Sequence, residues 1–164
     1  MGGHMLQMIH AFHMSEHRWE VLETHRDPLW GYPCGRCYHG FVQQGSRVFI
    51  MGGYNEGQIL GDMWRLELRT LCWTALCCHL PQNVYFHSTA VTTSGCLYCF
   101  GGVRALQADC SRTADLYKMW LCVPSLEVMC CEAVRHYARH SPLFSRQHLA
   151  RYGLPKNILA SIFS

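Results

Sequence analysis

Residues 39–76 read HGFVQQGSRVFIMGGYNEGQILGDMWRLELRTLCWTAL, and this stretch decides the fold. It contains four runs of β-forming residues, and turn-forming residues such as Gly45 and Gly57 separate the earlier runs. The predicted strands are residues 39–43, 47–51, 62–68 and 71–76. We therefore predict a four-stranded antiparallel sheet, whose second strand ends at the pair Gly52 and Gly53.

Markers of this stretch recur along the chain at an interval of about fifty residues. They are the glycine pairs Gly2 and Gly3, Gly52 and Gly53, and Gly101 and Gly102, the histidines His39 and His87, and the tryptophans Trp19 and Trp73. Further strands are predicted at residues 87–91, 96–100 and 115–120. The chain therefore contains internal repeats, at about 1–21, 39–76 and 87–122.

A unit of this length, with four strands, a glycine pair and a tryptophan in the fourth strand, resembles the kelch repeat. The resemblance implies an all-β fold over residues 1–122, a kelch β-propeller fragment of about two and a half four-stranded antiparallel blades. The tryptophan would pack between neighbouring blades. Because propellers usually have roughly 4 to 8 blades, we expect an N-terminally truncated form with open sheet edges. An unrelated β-meander is the alternative.

After the last predicted strand, the spacing of apolar residues changes from that of a strand to that of a helix. Ser125 is a predicted N-cap, and the apolar residues that follow are predicted to share one face. These residues are Leu126, Met129, Cys130, Ala133, Val134 and Tyr137. A second helix is predicted from a cap at Ser145 to Tyr152, and a third with Pro155 at its first position. Residues 123–164 are therefore predicted to be a small helical domain.

Two short motifs lie on these helices. Ser125-Leu126-x-x-x-Cys130-x-x-x-Val134 matches the BC box, an Elongin C-binding helix, and Leu154-Pro155-x-x-Ile158 matches the cullin-2 box. Both motifs, in this order and directly after kelch repeats, resemble the kelch-repeat substrate receptors of cullin-2 and Elongin B/C ubiquitin ligases. Such a receptor is a non-catalytic adaptor whose kelch part presents proteins that carry C-terminal degrons.

The resemblance assigns a role to particular residues. Elongin C would be bound by Leu126, Met129, Cys130 and Val134, and cullin-2 by Leu154, Pro155 and Ile158. Substrate tails would contact Arg36, Tyr54, Tyr85 and Arg104, which lie in loops next to the histidines and glycine pairs. An arginine suits a terminal carboxylate because its planar guanidinium donates two hydrogen bonds. Since blades are missing, we expect weak or absent degron binding by this chain.

The composition argues against several other classes of protein. The net charge is +3 and the basic residues are scattered, so no nucleic-acid or membrane partner is expected. No apolar run reaches the length of a membrane span, and the first residues lack a secretory signal, which predicts a cytoplasmic or nuclear protein, or one found in both. No catalytic motif stands out, and no cofactor or metal is expected.

Two alternatives remain open. One is a kelch scaffold, or a truncated isoform unable to bind substrate, whose helical tail only caps the sheet. The other is a zinc or thiol protein, because the two C-x-x-C spacings, Cys34/Cys37 and Cys96/Cys99, resemble zinc-ligand spacing. Residues three apart on a strand point to opposite faces, which argues against the second pair. We interpret the eleven cysteines mainly as reduced thiols.

Overall fold

A computed structural model of the chain describes residues 5–105, 111–138 and 145–163. The chain consists of two compact units, Met1–Leu121 and Cys122–Ser164. The described part of the first unit forms three antiparallel sheets, and that of the second forms three helices. The expectation of a mainly antiparallel β fold followed by a short helical region is therefore confirmed. The first glycine pair, Gly2 and Gly3, lies outside the described residues.

Within each sheet, every strand pairs with the next strand along the chain. The first sheet contains β1 (Met8–His13) and β2 (Arg18–Glu23). The second sheet contains β3 (Gly40–Gln44), β4 (Arg47–Asn55), β5 (Gln58–Glu67) and β6 (Cys72–His79). The third sheet contains β7 (Ser88–Val91), β8 (Cys96–Phe100) and β9 (Leu116–Trp120).

The glycine pair of the second sheet lies inside β4, so the prediction that it ends the strand is wrong. The pairing with β5 shifts register between Met51 and Gly53, which is a β-bulge. Gly52 and Gly53 have φ angles of +58° and +100°, a region that favours glycine. A Cβ on Gly53 would also lie 2.8 Å from the Cβ of His39 and 2.9 Å from the carbonyl oxygen of Cys37. Glycine is therefore required both by conformation and by close packing.

One face of the second sheet packs against the first sheet. Its buried residues are Val48, Ile50, Trp64, Leu66 and Trp73. The indole N–H of Trp73 donates hydrogen bonds to the carbonyl oxygen of Leu6 at 3.0 Å and to the hydroxyl of Thr24 at 3.1 Å. Trp73 thus packs between neighbouring sheets, as predicted. Trp19, its counterpart in the first sheet, is 68% exposed.

The opposite face of the second sheet packs against the third sheet. The buried cluster consists of Val42, Phe49, Met51, Met63, Leu80, Val84, Leu97 and Cys99. Leu97 and Cys99 come from the third sheet, and Met51 and Leu97 have no exposed surface. Alternate residues of a strand point to opposite faces, which is how β4 contributes to both cores.

Backbone hydrogen bonds also connect neighbouring sheets. The N–H of Trp73 in β6 donates to the carbonyl of His25, which follows the first sheet, at 2.8 Å. The N–H of Gly53 in β4 donates to the carbonyl of Val84, which precedes the third sheet, at 2.9 Å. Neighbouring sheets are therefore joined by main-chain bonds as well as by apolar packing.

The second unit contains α1 (Leu126–Ala138), α2 (Arg146–Arg151) and α3 (Lys156–Phe163). The predicted caps are confirmed, because the hydroxyls of Ser125 and Ser145 each accept a backbone N–H of the first turn. Pro155 lies one residue before α3, where its carbonyl accepts the N–H of Leu159 at 3.0 Å, and is not the first helical residue as predicted. No helix within the described ranges is long and apolar enough to cross a membrane.

The helices share a small core made of Cys131, Leu149, Leu159 and Ile162, with Val134, Leu154 and Ile158 packed against it. Arg135 on α1 fixes the far end of α3, because its Nε donates to the carbonyl of Ile162 at 3.0 Å and its guanidinium also donates to the carbonyl of Ser161. The two predicted motifs, on α1 and at the start of α3, therefore belong to one packed unit.

Candidate protein-interaction surfaces

The apolar residues that were predicted to share one face of α1 differ in their exposure. Leu126 is 72% exposed and Met129 is 43% exposed, and Cys130 is exposed as well. Val134 is half-buried and packs against the helical core, together with the buried Cys131. We call the exposed group Leu126, Met129 and Cys130 the α1 stripe. It is an apolar surface on a helix that Ser125 caps.

The residues of the second motif mainly support the helical core. Leu154 and Ile158 are half-buried against that core, whereas Pro155 is exposed. Leu154 precedes α3 and Ile158 lies in its first turn, so both are fixed in position next to Pro155. The assignment of these residues to cullin-2 stays a prediction.

The structure brings Tyr54 and Tyr85 together, with ring centroids 5.7 Å apart. Two further aromatic residues, Tyr38 and Phe86, complete this group, which we call the aromatic cluster. Tyr38 and Phe86 are more than half exposed, and each has a φ angle of +56°. Such a conformation costs about 1–3 kcal/mol for a non-glycine residue and often marks a ligand-binding position.

Sequence reasoning missed Tyr38 and Phe86. A signal was present, because each immediately precedes one of the repeat histidines, His39 and His87. The two aromatic residues therefore hold the same place in successive repeats. An aromatic side chain at a fixed step before the first strand was the pattern that could have been used.

Arg104 is linked to the aromatic cluster through the backbone bridge between Tyr85 and Val103. It follows Val103, whose N–H donates to the carbonyl of Tyr85 at 2.8 Å. The Arg104 side chain is exposed, and its Nε donates to the hydroxyl of Ser111 at 2.9 Å. Arg104 thus follows directly on the residue that is hydrogen-bonded to Tyr85 of the aromatic cluster.

Arg36 has a different environment from the other predicted substrate residues. Its guanidinium has no exposed surface and forms a bidentate ion pair with Asp62, with N–O distances of 2.7 and 2.8 Å. Another N–H of Arg36 donates to the carbonyl of Cys34 at 3.1 Å, and the indole N–H of Trp64 donates to Asp62 at 2.6 Å. These contacts give Arg36 a structural role that sequence analysis did not predict.

The repeat histidines are packing residues. His87 is 8% exposed, and its ring nitrogens have no hydrogen-bond partner among the described residues. Burial, followed by the charge of His39, lowers the pKa of His87. Burial, followed by the charge of Arg36, lowers the pKa of His39. Both imidazoles are therefore neutral at neutral pH.

The cysteine pairs do not form a four-ligand site. Cys96 and Cys99 point to opposite faces of β8, and burial raises the pKa of Cys99 to about 11, so its thiol stays protonated. Within residues 5–105, 111–138 and 145–163, no three His, Cys, Asp or Glu side chains group to hold a metal ion. The zinc alternative gains no support from this part of the chain.

Repeated antiparallel sheets, with a glycine pair in the second strand and a buried tryptophan in the fourth, define the class of kelch-repeat proteins. Proteins of this class act through protein–protein interaction. The family model described as the KLHDC2/KLHL20/DRC7 Kelch-repeats domain matches residues 1–141. The chain belongs to this kelch-repeat family.

The predicted resemblance to kelch-repeat proteins is confirmed by individual relatives. The chain is 40% identical over 154 residues to kelch domain-containing protein 10 of Xenopus tropicalis, an alignment that covers 94% of this chain and 37% of the relative. It is 39% identical to kelch domain-containing protein 10 of Homo sapiens, covering 94% and 35%. It is 36% identical over 170 residues to the kelch domain-containing protein 10 homolog of Drosophila melanogaster, covering 92% and 27%. The chain thus spans well under half the length of these relatives.

Proposed function

We propose that this chain is part of a non-catalytic substrate receptor for a cullin-2 and Elongin B/C ubiquitin ligase, acting in the cytoplasm or nucleus. Its kelch part would present proteins that carry C-terminal degrons. The observation that carries the proposal is the α1 stripe, in which Leu126, Met129 and Cys130 are exposed at the spacing of an Elongin C-binding helix.

The α1 stripe suits recognition of a helix by a groove. An amphipathic helix docks by placing anchors at positions i, i+3 and i+4 into an apolar groove, which is the spacing of Leu126, Met129 and Cys130. Complete burial of a leucine or methionine side chain contributes about 1.5–3 kcal/mol. Val134 lies one helical turn after Cys130 and is partly buried. The exposed part of its side chain would extend the contact with the groove.

The start of α3 would supply the cullin-2 contact. Pro155 is exposed, and Leu154 and Ile158 retain partial exposure while packing on the helical core. Replacing Pro155 would therefore remove contact surface with little loss of packing. Because α1 and α3 belong to one packed unit, both contacts would be presented together.

The substrate tail would bind at the aromatic cluster. Arg104 supplies a positive charge for a terminal carboxylate, and Tyr54 and Tyr85 supply adjacent aromatic surface. Arg36 is left out of this site because its guanidinium is buried against Asp62. Weak degron binding by this chain alone stays a prediction.

Replacing Leu126 and Cys130 together by Ala is expected to weaken binding to purified Elongin B/C by about 2 kcal/mol, or about thirtyfold in Kd. The reason is that both side chains are exposed in the free chain and would be buried in the complex. The measurement is titration calorimetry with the whole chain, supported by co-purification of the complex.

The matched control is Tyr152→Ala, because Tyr152 is 80% exposed in the same helical unit but lies outside the α1 stripe. This variant should bind Elongin B/C as the wild type does. Undiminished binding by the double variant would remove the proposed role. It would leave the alternative, a kelch scaffold whose helical tail only caps the sheet.

A further inference from the structure

The last turn of α3 is capped by a side chain from another helix. The carbonyl groups at the end of a helix have no N–H partner within it, and a cationic side chain often donates to them. The last turn of α3 contains no basic residue of its own. Arg135 of α1 supplies the cation, because its guanidinium donates to the carbonyls of Ile162, at 3.0 Å, and Ser161. The C-terminal cap of α3 is therefore encoded in the sequence of α1.

The helix α3 depends on such contacts for its stability. It has eight residues, and isolated helices shorter than about 12–15 residues are marginal in water. Leu159 and Ile162 anchor α3 in the helical core, in the cluster that contains Cys131 of α1. Arg135 lies one helical turn after Cys131, so the apolar packing and the cap act on α3 from the same face of α1.

The residues of α1 that hold α3 differ from those of the α1 stripe. Cys131 is buried and Arg135 is half-buried, and both contact groups within the helical unit. The α1 stripe is exposed. A partner bound to the α1 stripe therefore leaves the hydrogen bonds of Arg135 in place. The same helix is able to bind a partner and to hold α3 at the same time.

We propose that Arg135 is a positioning residue that couples the two docking sites of the helical unit. This inference rests on the proposed function, in which the α1 stripe binds Elongin C and the start of α3 binds cullin-2. Docking of the α1 stripe orders α1, and through Arg135 it also orders α3, which follows the exposed Pro155. Each partner therefore strengthens the binding of the other, because a coupling free energy between two sites is reciprocal.

The first test uses the whole chain without either partner. Arg135→Gln removes the positive charge and keeps a polar side chain. In hydrogen exchange, the amides of α3 are expected to exchange about tenfold faster in this variant, whereas those of α1 change by less than about twofold. Equal acceleration in all three helices would mean that Arg135 stabilises the whole unit, and would overturn the positioning role.

Arg151→Gln is the matched control for the loss of a cation. Arg151 is exposed and lies in the last turn of α2, in the same helical unit. Its replacement changes the net charge by the same amount and is expected to leave the exchange of the α3 amides unchanged. Faster exchange of α3 in this variant would assign the effect to net charge and not to the cap.

The second test measures binding in two steps with purified partners. Arg135→Gln is expected to bind Elongin B/C as the wild type does, because the α1 stripe is intact. The complex that it forms is expected to bind cullin-2 with a Kd about tenfold higher, which corresponds to about 1.4 kcal/mol. Arg135→Lys should recover part of this loss, because its ammonium keeps the charge but lacks the planar group that donates to two carbonyls.

The outcomes separate this inference from the proposed function. Equal losses for Elongin B/C and cullin-2, or no loss for cullin-2, would overturn the role of Arg135 and leave the proposed function standing. A wild type that binds neither partner would refute the proposed function, and the coupling with it. Hydrogen exchange would then still show whether Arg135 holds α3.

Discussion

Asp62→Asn is expected to lower the free energy of unfolding by about 3 kcal/mol, because it leaves the buried guanidinium of Arg36 without a balancing charge. The Arg36 side chain has no exposed surface, and its two terminal guanidinium nitrogens each donate a hydrogen bond to a carboxylate oxygen of Asp62. The measurement is urea unfolding at neutral pH. Glu16→Gln is the control, since Glu16 also pairs with an arginine, Arg18, but both side chains are more than half exposed and no measurable change is expected.

The effect of Asp62→Asn should depend on pH in a definite direction. Burial alone would raise the pKa of Asp62, but the hydrogen bonds and charge of Arg36, with the indole of Trp64, outweigh it and lower the pKa. The folded pKa thus lies below the unfolded value of about 3.9. The stabilisation is present above that value and is lost as the pH falls through the folded pKa. A difference between wild type and variant that did not shrink in acid would contradict this assignment.

Gly53→Ala is expected to destabilise the protein by about 3 kcal/mol, from backbone strain together with a steric clash. The φ angle of Gly53 is +100°, and its added Cβ would meet the carbonyl oxygen of Cys37 and the Cβ of His39 below 3.0 Å. Gly57→Ala separates the two contributions, because Gly57 has a φ of +92° and nothing within 4 Å of an added Cβ. It should cost about 1–2 kcal/mol. Equal losses for both variants, measured by urea unfolding, would mean that packing at the bulge is not the cause.

The strand pattern was predictable because it depends on local sequence. The strand β8 (Cys96–Phe100) was predicted with its observed bounds, and β3, β7 and β9 differ from the prediction by one residue. The strand β4 was predicted too short, because a glycine pair is a signal for a strand end as well as for a bulge. Only the pairing with β5 decides between the two.

The candidate surfaces were predictable only in part, because they depend on contacts between distant residues. Arg36 and Asp62 are 26 positions apart, and no local pattern pairs them. Helical spacing placed Leu126 and Val134 on one face, but the core formed with α2 and α3 draws Val134 inward and leaves Leu126 exposed. Tertiary packing, and not periodicity, determines which apolar residues of a helix remain available to a partner.

The main-chain bonds between neighbouring sheets define the module of this architecture. The strand β6 is hydrogen-bonded to the segment after the first sheet, and β4 to the segment before the third sheet. A single repeat therefore contains only one partner of each of these bonds. Because the stability of repeat proteins includes interface terms between nearest neighbours, we expect these bonds to couple the unfolding of adjacent sheets. A graft or deletion made at the boundaries of the sequence repeat would remove these hydrogen bonds between sheets. A cut that keeps each strand with the linker bonded to it would preserve cooperativity.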